Sequence, residues 1–139
     1  MSTQTRSGRH AVTHWEVLRR YQEDRLTLVD LRLETGRTHQ IRVHLAAMNS
    51  PVVGDPLYAG AARVSSITDQ ELRAKVARLE RQFLHAWQLG FVHPSGNDML
   101  FQADLPDELM EIVGYLEAKY SYPMSDLKIA SCAGPLETV

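Results

Sequence analysis

A change of hydrophobic period at one glycine limits this chain more than any other feature. Before Gly36, the stretch "RLTLVDLRLE" at 25–34 alternates, with Val29, Leu31 and Leu33 on one side and Asp30, Arg32 and Glu34 on the other. A period of two is that of a half-buried strand. After Gly36, Ile41, Leu45 and Met48 recur at helical spacing. Thr38 is placed to cap that helix, which runs to about Asn49. Upstream, "AVTHWEVLRRY" at 11–21 is rich in β-branched and aromatic residues and reads as a second strand. The short "QED" between the strands makes them a hairpin.

The remainder continues in the same mixed style. A loop, "SPVVGDPLYAGAA", spans 50–62. A helix follows through "TDQELRAKVARLERQF", with Thr68 and Glu71 at capping-box spacing and Leu72, Val76, Leu79 and Phe83 as its apolar stripe. "LHAWQLGFVH" at 84–93 reads as a strand, "PSGND" as a turn and "MLFQADL" as the return strand. Pro106 opens a last helix, with Asp107 and Glu108 in its first turn and Leu109, Ile112, Val113 and Leu116 as its buried stripe. This order predicts an α+β fold rather than a doubly wound sheet.

Composition narrows the function classes. The net charge of −2 does not mark a nucleic-acid binder. Its distribution is uneven, however: residues 1–50 carry eight Lys and Arg against five Asp and Glu, and residues 51–139 carry seven against twelve. A basic face therefore fits on an acidic chain. No apolar run approaches ~20 residues, so nothing in the sequence spans a membrane as a helix. A single cysteine, Cys132, excludes an internal disulfide and suits a reducing compartment, so a cytoplasmic location is expected.

The chemistry-bearing residues cluster just after the glycine: Arg37, His39, Gln40, Arg42 and His44. His39 and His44 are five positions apart, about 500° around a helix, which takes them off one face as metal ligands. The sequence has no G-x-S-x-G, no Walker loop and no G-x-G-x-x-G. Anion or polynucleotide recognition remains. A helix starting at Thr38 offers free backbone N–H groups, and Arg37 just before it can point a guanidinium at a phosphate or carboxylate. The plainer alternative is an ion pair of Arg37 within the loop, with His44 a satisfied core histidine.

"LETGRTHQIRVHLAAMNSPVVGDPLYAG" closely resembles the C-terminal signature of the RluA type of RNA pseudouridine synthases, which carry a G-R-T/S-H-Q-I/L-R-V-H block followed by a G-D-x-x-Y-G block. "RQFLHAWQLGFVHPSGNDMLFQADLPDEL" at 81–109 is similar to the R-x-x-L-H-A, F-x-H-P and L-P-x-x-L segments of the same family. The resemblance spans about residues 10–120 and departs at Ala59, which precedes Gly60, and at "MNSP".

The resemblance implies a mixed, largely antiparallel sheet with flanking helices, part of the synthase catalytic fold. On this reading, 1–10 is a flexible leader, 11–120 the C-terminal half of a catalytic domain and 121–139 a mobile tail. It implies isomerisation of uridine to pseudouridine in ribosomal or transfer RNA, with no metal or organic cofactor and with the target nucleotide out of its stack. The family's essential aspartate lies in an H-R-L-D-x-x-T-S-G motif that is expected upstream of the residues here; Glu34 in "RLETG" is rejected as its counterpart. Arg37 would pair with that aspartate and stand at the mouth of an incomplete cleft. Leu84 would wall the uracil face or else be ordinary core. His39, Gln40 and Arg42 would contact RNA, with Tyr58 and Asp55 shaping the loop beside them. Lys75, Arg78 and Arg81 would contact phosphates or form a solvated face. The chain alone would be inactive, and its partners would be RNA and the N-terminal half of the domain, or a second copy through an exposed sheet edge. The alternative is a non-catalytic RNA-binding or interaction module derived from the same fold.

Overall fold

A computed structural model describes residues 10–127. The chain is α+β, and its described residues divide into two compact units, one ending at Phe83 and the other beginning at Leu84.

The first unit opens with the expected hairpin. Strand β1 (Thr13–Tyr21) pairs antiparallel with β2 (Leu26–Leu33), with Trp15 opposite Leu31 and Val17 opposite Val29. The register slips between Val17 and Arg19, so Leu18 is the extra residue of a bulge. Arg25 closes the turn at φ 54°, donating its N–H to the Gln22 carbonyl at 3.1 Å. The shared face of Thr13, Trp15, Val17, Leu33, Leu31 and Val29 follows from the alternation, although Trp15 and Leu33 remain exposed.

Helix α1 (Gln40–Ala47) packs against β1. Its start differs from the expected one. Thr38 does not cap it; His39 is the N-cap, in the left-handed region at φ 51°, and makes no side-chain cap. The reason is local: the chain tightens into a turn in which the Gln40 N–H bonds the Arg37 carbonyl at 3.0 Å, moving the helix cap one residue on. The far end is legible chemistry. Asn49 is left-handed at φ 57°, its N–H reaches the Ala46 carbonyl, and the Ser50 N–H reaches that of Leu45. That is a Schellman closure, with Asn, which tolerates the left-handed backbone better than most residues bearing a Cβ, in the place usually taken by glycine.

The loop that follows contains an unanticipated short helix, α2 (Ala61–Ser65), packed on α3 (Gln70–Arg78). Asp69, not Thr68, caps α3, its carboxylate accepting from the Leu72 N–H at 3.0 Å. A carboxylate also suits the positive end of the helix better than a hydroxyl. Leu72, Val76 and Leu79 are buried as the stripe requires. The helix stops short of Phe83 because Glu80 turns left-handed at φ 51°. Tyr21, Val52 and Ile67 are the other buried apolar residues among those described in this unit.

The second unit holds β3 (Gln88–Val92), antiparallel to β4 (Asp98–Gln102), and helix α4 (Asp107–Lys119). Gly96 at φ 90° and the His93–Asn97 backbone bond of 2.8 Å close the hairpin. Phe91 and Phe101 stack on one face at 5.9 Å. Pro106 is the N-cap of α4, and all four stripe residues, Leu109, Ile112, Val113 and Leu116, are buried. A 3-10 turn at Met124–Asp126 follows, and Leu127 is buried. Cys132 lies outside the described residues.

Candidate functional site

The turn from Thr35 to Gln40 carries the chemistry, and it is built from the inside. Gln40 is only 5% exposed. Its side-chain oxygen accepts from the Thr35 hydroxyl at 2.8 Å and from the Arg37 N–H at 3.0 Å. Its side-chain nitrogen donates to the Val12 carbonyl and to Thr13 Oγ1, both at 3.0 Å. A carboxamide offers two acceptor and two donor positions, so all of Gln40's are used. The residue expected to touch RNA therefore faces inward. Thr35 Oγ1 also accepts from the Val12 N–H at 2.9 Å, and Thr13 Oγ1 lies 2.9 Å from His44 Nδ1. Thus His44 is a hydrogen-bonded, half-buried histidine on the strand-facing side of α1.

Arg37 is exposed at the tip of this turn. Among the described residues its guanidinium has no partner. The backbone is held while the charge is free.

A second cluster lies on the same helix. Arg42 grips Asp55 through two bonds, Nε to Oδ2 at 2.7 Å and Nη2 to Oδ1 at 2.8 Å. The Asp55 side chain is fully buried and that of Arg42 is 12% exposed. Asp55 Oδ1 also accepts from the Leu57 and Tyr58 N–H groups, at 2.9 and 3.0 Å, in an Asx turn. Hydrogen bonding from Arg42 holds the Asp55 carboxyl well below the usual carboxylate range; burial opposes this but loses, and the two N–H groups add to it. The same hydrogen bond raises the Arg42 pKa. Expected to reach RNA, Arg42 is instead engaged inside the protein, with its guanidinium 5.1 Å from the centre of the Tyr58 ring. Tyr58 OH is 3.3 Å from His39 Nδ1, and the two rings meet edge to face at 5.9 Å. His39 is exposed and Tyr58 half-buried. The left-handed backbone of His39 is what separates its direction from that of Gln40 beside it.

Leu84 opens the second unit and is half-buried. Lys75 pairs loosely with Glu71 at 3.7 Å, and Arg78 is exposed. A groove of about 570 Å³ is lined by Ala61, Val64, Arg73, Ala74 and neighbours on α2 and α3; none of the candidate site residues lines it. Among the described residues no group of three or more His, Cys, Asp and Glu could hold a metal ion, and no helix is long and apolar enough to cross a membrane.

Comparison with known proteins agrees with these blocks. A family model described as RNA pseudouridylate synthase matches residues 1–47. Over 106 residues the chain is 45% identical to ribosomal large subunit pseudouridine synthase D of Vibrio cholerae, covering 76% of this chain and 32% of that protein. Over most of its length the chain is thus similar to RNA pseudouridine synthases, in keeping with the RluA-type signature. Synthases of the same name from Xanthomonas campestris and Escherichia coli are 44% and 39% identical, over 78% and 81% of this chain. The chain spans about a third of the length of these RluA-type relatives, at 32% to 34% of each.

Proposed function

We propose that this chain forms part of an RNA pseudouridine synthase and supplies the arginine side of its active site. The observation that carries the reading is Arg37: an exposed guanidinium, without a partner among the described residues, on a turn hydrogen-bonded from behind. Such a group suits a carboxylate arriving from polypeptide that completes the domain. An adjacent guanidinium keeps a carboxylate ionised and ready to attack the sugar of a flipped uridine. His39 and Tyr58 stand beside it as contacts for the RNA, with Arg42 and Asp55 holding Tyr58 in place. Gln40 acts from behind the surface. The reaction needs no metal or organic cofactor, and the protein works in the cytoplasm on ribosomal or transfer RNA.

Residues 11–120 correspond on this reading to the C-terminal half of the catalytic domain. The open apolar surface of the β3–β4 hairpin, with Leu89, Phe91 and Phe101 all exposed, supports the need for a covering partner. The completing polypeptide is that partner, and a second copy of this chain takes its place when the chain is alone.

The test is release of tritium from RNA labelled at uridine C5. The 139-residue chain by itself is expected to release none, and the chain joined to the remaining length found in its relatives is expected to be active. Turnover by the isolated chain would overturn the assignment of the nucleophile to other residues.

A further inference from the structure

Arg37 is held on both sides of its backbone by a single residue. Its N–H donates to the Gln40 side-chain oxygen at 3.0 Å, and its carbonyl accepts from the Gln40 backbone N–H, also at 3.0 Å. The other end of the same carboxamide is fastened to β1, at the Val12 carbonyl and Thr13 Oγ1. We propose that Gln40 is a positioning residue for Arg37, carrying the fixed place of strand β1 to the turn that presents the guanidinium. The inference rests on the reading that Arg37 is the charged group of the site.

The chemistry of a carboxamide makes this a directional device. The Arg37 N–H needs an acceptor and the Val12 carbonyl needs a donor, so only one orientation of the amide satisfies both ends. A flipped amide would set N–H against N–H and oxygen against oxygen. At 5% exposure, water cannot readily replace a lost bond, so each polar group left over is costly. Thr35 adds a brace, donating to the same Gln40 oxygen while accepting from the Val12 N–H. His44 bonds Thr13 from one turn further along α1, so the strand end of the clamp is itself held. The outcome is a peptide bonded on both sides with an exposed side chain on its outer face. Less ordering is then left to occur when an anion meets Arg37.

The experiment uses the 139-residue chain with Gln40→Met, which keeps the length of the side chain and removes its hydrogen bonds. Amide hydrogen exchange by NMR reads the clamp directly. The Arg37 amide is expected to exchange about tenfold or more faster in the variant, while amides in the centre of the β1–β2 ladder keep their protection. Affinity for a single-stranded oligouridylate reads the consequence. Gln40→Met is expected to weaken binding in the wild-type background and to have no further effect in an Arg37→Ala background. Unchanged Arg37 exchange, or an equal loss of affinity in both backgrounds, would overturn the proposal. Gln40→Glu keeps the acceptor facing the Arg37 N–H and is expected to retain its protection; loss of protection in a folded Gln40→Glu chain would also overturn it. Absence of oligouridylate binding by the wild-type chain would count against the function proposed above, whereas the exchange measurement decides the clamp separately.

Discussion

Arg42 and Asp55, 13 positions apart, are joined by a two-bond ion pair at 2.7 and 2.8 Å that ties α1 to the G-D-x-x-Y loop. The pair organises more than itself. Asp55 fixes the turn at Leu57 and Tyr58, and Arg42 lies over the Tyr58 ring, so the phenol reaches His39 from a determined position. A charge inside the protein thereby sets the geometry of two aromatic rings at its surface.

The pair should make the fold acid-sensitive. The Asp55 carboxyl is held below its usual range in the folded chain, so folding favours its ionised form. Its contribution is complete above the ordinary carboxylate value of about 3.9 and is lost as pH falls through the lower folded value. Denaturant titrations at decreasing pH should show stability falling below about pH 4. Asp55→Asn should lower stability at neutral pH and flatten that acid limb. A variant with the wild-type acid dependence would remove Asp55 as its source.

Gly54, next to Asp55, should tolerate no side chain. Its φ is 72°, and a Cβ built there would lie 2.5 Å from the Arg81 carbonyl oxygen. Both the left-handed backbone and the overlap with a main-chain atom oppose substitution. Gly54→Ala is expected to destabilise by about 2–4 kcal/mol, read as a shift in the denaturation midpoint. Gly60 makes a useful control, since it shares the φ of 72° but nothing lies within 4 Å of its added Cβ.

Those two glycines mark the boundary of what the sequence makes legible. The β1–β2 hairpin is readable because Val29, Leu31 and Leu33 alternate against charges, and α4 because Leu109, Ile112, Val113 and Leu116 repeat at helical spacing. Periodicity records which side of an element is covered, and it is local. The end of α3 is not readable, because Glu80 adopts a left-handed backbone without the glycine or asparagine that announces one. The cluster after Gly36 is readable as a site, but not which of its members face outward. Gln40 and His44 share the side of α1 that meets Thr13, and Arg42 turns toward a loop 13 positions away. Their four-residue spacing beside the Ile41–Leu45 stripe is the one signal of a shared inward face; the Arg42 partner has none, because it depends on how the chain folds back.

The cap of α3 offers a comparison between adjacent residues. Asp69 accepts from the Leu72 N–H, whereas Thr68, which has the capping-box spacing, is exposed outside the helix. Asp69→Ala should cost about 1 kcal/mol by thermal or denaturant unfolding. Thr68→Ala should change stability by less than about 0.5 kcal/mol. Equal losses would mean that the two share the cap.

Arg37 supplies the most direct electrostatic prediction. It is exposed and has no partner among the described residues, and binding of single-stranded RNA releases counterions in proportion to the phosphates neutralised. If Arg37 neutralises one phosphate, Arg37→Ala should reduce the slope of log affinity against log salt by about 0.7. Arg42→Lys should leave the slope unchanged, because Arg42 is already neutralised by Asp55. It should instead weaken the loop, since an ammonium cannot reproduce the two-bond fork. Titrations of a labelled oligouridylate at several salt concentrations separate the two residues. A slope that depends on Arg42 rather than Arg37 would reverse their roles, making the buried pair the RNA contact and the free guanidinium a bystander.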